Sequence, residues 1–227
     1  MSLLVLAMPK SASEELAPAD DTMSGMPLVF QDDFEKGDAD RWEPVDPGAW
    51  KVVEDGENKA YALLRDCKYS PKVRSPENVS MIKRLWVSDF LFEARFKSTE
   101  PEYGHRDMCI FFGHQDPTHF YYVHFSAVSD ELHNIIGLVN GKDRVKINHE
   151  APGHSLARMN DLRFHDFKVT CNAETGKIMV YLDNLTNPIL TATDRTLGHG
   201  FVGLGSFDDT GSFDDIKLWG KIYKSKN

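Results

Sequence analysis

The chain has 227 residues, 41% of them hydrophobic, and a formal charge of −9. That is enough apolar material for one sizeable core, since all-β domains often reach roughly 200–250 residues as a single unit. An acidic chain without a basic block argues against a nucleic-acid partner, and no run approaches the ~20 apolar residues of a membrane span.

The charge is uneven: residues 20–57 hold twelve Asp/Glu against three Lys/Arg, while the remainder balances. Such a carboxylate run suits a bound cation or a solvated edge. The first residues, MSLLVLAMPKSASEEL, resemble a clipped secretion signal, a short apolar run followed by Ser-Ala-Ser. A basic start is missing and the apolar core is shorter than the usual ~7–15 residues. The segment therefore reads either as a signal remnant, with export to the periplasm or beyond, or as a disordered tail. Residues 9–27 have linker composition, so the domain is expected over 28–227.

In chain order, Leu28–Glu35 predicts a first strand with Phe30 and Phe34 on one face. Residues 49–65, AWKVVEDGENKAYALLR, predict a hairpin turning at Asp55–Asn58. Pro71 and Pro76 break residues 66–88, where no element is assigned. Asp89–Lys97 alternates clearly: Phe90, Phe92, Ala94 and Phe96 point one way, and Leu91, Glu93, Arg95 and Lys97 the other. Two central strands follow, Asp107–His114 and His119–Phe125, joined by Gln-Asp-Pro-Thr. Leu132–Asn140 and Arg144–His149 form a hairpin across Asn140-Gly141-Lys142, and residues 150–162 form a loop. Strands at Arg163–Cys171, Lys177–Asp183 and Ile189–Thr193, then FVGLGSF and FDDIKLWG, complete the chain. Many short strands with turn signals every ~8–12 residues predict an all-β sandwich or barrel. Cys67, Cys109 and Cys171 show no metal-ligand spacing, and spacing alone does not pair Cys67 with Cys109. Cys171 alternates with Phe167 and Val169 as a small buried hydrophobe.

The stretch Arg106–Phe125 is dense in polar groups for strands that are otherwise apolar: Arg106, Asp107, His114, Gln115, His119 and His124. In HFYYVHF, Tyr121, Val123 and Phe125 share the more apolar face and are assigned to the core. That leaves Phe120, Tyr122 and His124 on the other face, with Tyr122 and His124 in an open groove. Neighbouring strands add His105, Asp107 and Gln115 from one side and His133 and Asn134 from the other. Gly137 leaves room for a ligand. Aromatic faces with His, Asn, Gln and Asp around them suit sugars; the plainer alternative is a set of structural histidines. His119 and His124, five apart, fall on opposite faces, which gives no reason to expect a zinc site.

Three segments carry a family resemblance: VFQDDFEKGDADRW, VVEDGENKAYALL and GFVGLGSFDDTGSFDDIKLWG. Over residues 28–222 the chain resembles the concanavalin A-like lectin/glucanase superfamily, of the LamG/laminarinase-like kind. Its middle, FFGHQDPTHFYYVHFS, resembles a secreted-type bacterial subgroup. The resemblance implies a two-sheet antiparallel jelly roll that binds polysaccharide or oligosaccharide on its concave face. It also implies a structural calcium ion joining first strand to last, with Asp33, the Gly56 carbonyl and Asp214 as ligands by position. Laminarinase-type hydrolases carry Glu-x-Asp-x-x-Glu on one strand, a carboxylate pair that this chain lacks; its nearest acids are Glu93, Glu100 and Glu102. Besides binding without chemistry, two enzyme readings stay open: a glycoside hydrolase of another type, and a polysaccharide lyase. In the lyase, Tyr122 and His124 would be acid and base, with Arg106 or Gln115 on the uronate carboxylate.

Overall fold

The computed structural model describes residues 22–101, 103–151 and 158–224. The apolar start read as a signal remnant or tail lies outside the described residues, as do Glu102 and residues 152–157 of the expected 150–162 loop. Seventeen strands follow in chain order: β1 (Thr22–Met23), β2 (Met26–Asp32), β3 (Trp42–Pro44), β4 (Trp50–Asp55), β5 (Asn58–Leu63) and β6 (Asn78–Ile82). After these come β7 (Val87–Ser98), β8 (Asp107–Asp116), β9 (His119–Ser126), β10 (Ile135–Asn140), β11 (Val145–Lys146) and β12 (His149–Glu150). The last five are β13 (His165–Asn172), β14 (Lys177–Leu182), β15 (Leu190–Thr193), β16 (Phe201–Ser206) and β17 (Gly211–Ile222). Thr22 pairs with Pro27, so strand pairing is present inside the segment expected to be a linker.

Two antiparallel sheets result. One has ten strands, with β1-β2-β17-β7-β13-β14-β15-β12 in order and the β4–β5 hairpin attached to β17. The other has seven, in the order β11-β10-β9-β8-β16-β6-β3. Alternation decides what lies between them. Phe90, Phe92, Ala94 and Phe96 of β7 face Met108, Ile110 and Phe112 of β8 and Tyr121, Val123 and Phe125 of β9 in one core. This is the expected jelly-roll sandwich, with the period-2 pattern choosing the buried faces. The β4–β5 hairpin turns where expected, with Asp55 opposite Asn58. Phe34, Trp42, Trp50 and Tyr61 close one end of the core, with the Trp42 indole N–H donating to Asp32 Oδ2 at 3.0 Å. Each such side chain contributes about 2–3 kcal/mol by burial.

The unassigned stretch 66–88 contains β6, whose Asn78–Ile82 residues are buried throughout. β3, only three residues ending in a proline, also carries no readable alternation. All three cysteines are free and buried, Cys171 within the core as expected.

Candidate functional site

The outer face of the seven-stranded sheet carries its own apolar layer. Phe111, Phe120, Tyr122, Ile135 and Val139 pack there with Val79, Met81 and Cys109, under Val73, Phe201 and Phe207. Tyr122 and His124 therefore lie on the face expected of them, opposite Tyr121, Val123 and Phe125. The open groove expected around them is closed: Tyr122 is 0% exposed and His124 3%. The Phe207 ring packs on both, at 5.7 Å from Tyr122 and 5.0 Å from His124, and the Arg144 guanidinium lies 4.3 Å above Phe207. The space expected over Gly137 is filled as well. A Cβ built there would stand 2.2 Å from the Tyr122 ring, so glycine is needed to seat the tyrosine rather than a ligand.

The charged groups at this end have internal partners. His124 Nδ1 lies 2.8 Å from the Leu132 carbonyl, and Nε2 is 3.2 Å from Asp107 Oδ2, an ion-pair distance without hydrogen-bond alignment. The Asp107 carboxylate accepts from the Phe207 backbone N–H. Arg106, buried, donates to the carbonyls of Glu100 (3.1 Å) and Asp161 (2.9 Å). Asn134 is buried with a left-handed backbone (φ 50°) and bonds Ser126, Val128 and Ser129. His133 and His105 reach solvent, 3.0 Å apart between ring nitrogens, with His133 Nδ1 held 2.8 Å from Asp130. Burial pushes the Tyr122 phenol above its ordinary value, against the opposing charge of Arg144. Burial, with Asp107 and Asp208 nearby, raises the Asp209 carboxyl to about 6, although Tyr103 and the Asp107 N–H donate to it.

The open part of the face lies at the other end of β8 and β9, roughly 20 Å along the strand at about 3.3 Å per residue. A pocket of about 360 Å³ is lined there by Phe111, Phe120, Phe201, His114, Gln115 and Glu43, with Tyr69 and Ser75 from the segment before β6. The register of β8 against β9 and β16 shifts between Phe112 and Asp116. Gly113 sits in that bulge with φ +56°, a conformation that costs glycine little. Strict alternation would put His114 on the core side with Phe112; the bulge delivers it to the pocket instead. Its ring stacks on Phe120 at 5.4 Å, and its buried Nδ1 has no hydrogen-bond partner among the described residues. Burial lowers its pKa to about 4, so the imidazole is neutral at pH 7. Gln115 donates to the His199 carbonyl at 3.0 Å, leaving its amide oxygen as an acceptor. Of the residues expected to bind ligand, Gln115 alone lines this pocket.

The residues assigned to calcium do not fit a calcium cage. Asp214 is fully buried, and its Oδ2 already meets Arg95 Nη2 at 2.6 Å and Asn58 Nδ2 at 2.8 Å, while Oδ1 accepts from the Asp215 N–H. A guanidinium supplies the charge that the ion would bring. Asp33 is exposed and caps Glu35, and Gly56 forms the β4–β5 turn. No group of three or more His, Cys, Asp or Glu among the described residues is arranged to hold a metal ion. Glu93 faces outward from the ten-stranded sheet beside Lys168 and Lys217, away from both ends of the candidate face.

No protein-family model matches the sequence, and no curated protein does. Among solved structures, the chain is similar to the carbohydrate-binding module CBM66 from Bacillus subtilis, at 17% identity and a TM-score of 0.53, covering 79% of this chain and 96% of the module. It is also similar to a Bacillus subtilis protein of unknown function with a galectin-like fold, at 12% identity and TM-score 0.56, covering 87% and 97%. A third likeness is to the exoplasmic/lumenal domain of VIP36 in a Ca2+/Man3GlcNAc-bound form, at 13% identity and TM-score 0.51, covering 86% and 89%. At such identities the likeness is one of fold, the concanavalin A-like jelly roll.

Proposed function

We propose that the protein binds a polysaccharide or oligosaccharide without chemistry, in the open pocket on the outer face of its seven-stranded sheet. The observation that carries this reading is the pocket around His114: a neutral, part-exposed imidazole stacked on Phe120, beside the part-exposed Phe201 ring and the Gln115 amide. A sugar ring has apolar C–H faces for Phe201 and Tyr69, over a floor of the buried Phe111 and Phe120, and hydroxyls for His114, Gln115 and Glu43. The neighbours in fold include a carbohydrate-binding module and a Man3GlcNAc-bound domain, which supports the same ligand class.

The lyase reading has less support. Tyr122 has no exposed surface, its hydroxyl is pushed toward the neutral form, and Arg106 is committed to two backbone carbonyls. Calcium has no part in the proposal, because Arg95 already neutralises Asp214.

The test is gel retardation against a panel of neutral and uronate-containing polysaccharides, with absorbance for unsaturated uronates and an assay for reducing ends. Retardation that is lost in His114→Ala, with neither product formed, supports the proposal. No retardation by any glycan contradicts it. New absorbance would mean elimination and new reducing ends hydrolysis; either would overturn the absence of chemistry.

A further inference from the structure

A second group of aromatic side chains adjoins the pocket and belongs to neither core layer. Trp86, in the turn before β7, stands 5.3 Å edge-on from Phe201 and 5.2 Å from His199. His199 stacks on Tyr223 at 3.6 Å with the rings only 12° apart. Backbone hydrogen bonds fix the group: Tyr223 N–H to the Trp86 carbonyl at 2.8 Å, and a reciprocal pair between Val87 and Gly200 at 3.0 and 3.1 Å. None of the three is buried, and Tyr223 is 37% exposed. Burial lowers the His199 pKa, which favours the uncharged ring.

Two features join this platform to the pocket. Phe201 belongs to both, lining the pocket and meeting the Trp86 ring. Gln115, also in the pocket lining, is tied to the His199 carbonyl. Rigid aromatic rings that reach solvent and lie outside the core are the groups on which flat, amphipathic ligands stack. Their continuity with the pocket indicates one occupant for both.

We propose that the bound glycan runs out of the pocket, over Phe201 and onto Trp86, His199 and Tyr223, so that the protein recognises a run of several sugars rather than one terminal unit. This rests on the pocket being a sugar site.

The test is titration calorimetry with laminari-, manno- and xylo-oligosaccharides of one to six units, alongside a glycan array. For a series that binds, affinity should rise about tenfold between one unit and three or four. Trp86→Ala should flatten that rise while leaving the affinity for the single sugar unchanged, and His114→Ala should weaken every length. Trp86→Phe keeps an aromatic face and should restore most of the length dependence, which also covers the case of a poorly folded alanine variant. Full length dependence in Trp86→Ala would overturn the platform and leave the pocket standing, as would wild-type binding that does not change with length. If no sugar on the array or in the series binds the wild-type protein, the pocket reading fails and the platform falls with it.

Discussion

Two ends of one sheet face carry opposite arrangements of polar groups. At the Asp107/His124 end the polar residues are many and their charges are matched, covered by Phe207 and Arg144. At the His114/Phe120 end they are few and line an open pocket. The density of His, Asp and Arg marks the end that holds loops together, although Arg106 Nε, Tyr122 Oη, His124 Nε2 and Ser126 Oγ find no hydrogen-bond partner there among the described residues; the open pocket marks the end with room for a ligand. Unpaired buried polar atoms are costly and occur at both ends, so the open pocket, and not the orphaned atom, distinguishes them.

The largest effect is expected at the covered end. Arg106→Ala removes the donors to two loop carbonyls and should cost about 3 kcal/mol in denaturant unfolding, with glycan affinity unchanged in the folded protein. A loss of affinity without a loss of stability would reverse the roles of the two ends. Gly137→Ala drives a methyl group into the Tyr122 ring and should cost roughly 1–3 kcal/mol; a neutral result would mean that the tyrosine is free to move aside. Next, Phe201→Ala and His124→Ala should separate cleanly. The first should lower affinity about tenfold with a stability change of about 1 kcal/mol or less; the second should cost about 2 kcal/mol of stability with no change in affinity.

The two ends also differ in pH dependence, where they have opposite signs. His114 has a folded pKa of about 4, below the ordinary imidazole value near 6.5. Its contribution to stability is complete above about pH 6.5 and is lost as pH falls toward 4. Asp209 has a folded pKa of about 6, above the ordinary carboxylate value near 3.9. Its contribution is complete below about pH 4 and is lost as pH rises through 6. Urea midpoints between pH 4 and 7 should lose their rising component in His114→Ala and their falling component in Asp209→Asn.

Much of the fold was legible because alternation survives in the long strands. Phe90, Phe92, Ala94 and Phe96 announce a buried face, and Tyr121, Val123 and Phe125 are correctly separated from Tyr122 and His124. The cover over that second face was not legible. It comes from Phe207 and Arg144, which arrive from turns, and from Val73 in a proline-broken segment without periodicity. The pocket was hidden for a related reason. Gly113 sits in a bulge that turns His114 to the face opposite the one its spacing implies, and Tyr69, Ser75 and Glu43 lie in segments too short or irregular to read.

The most direct test follows the histidine side chains themselves. Long-range proton–nitrogen spectra of the imidazole rings would be recorded while the oligosaccharide series is titrated in. The His114 ring should shift with ligand while His105, His124 and His133 stay in place. Shifts at His124 and His133 with His114 silent would contradict the assignment of binding to the open end.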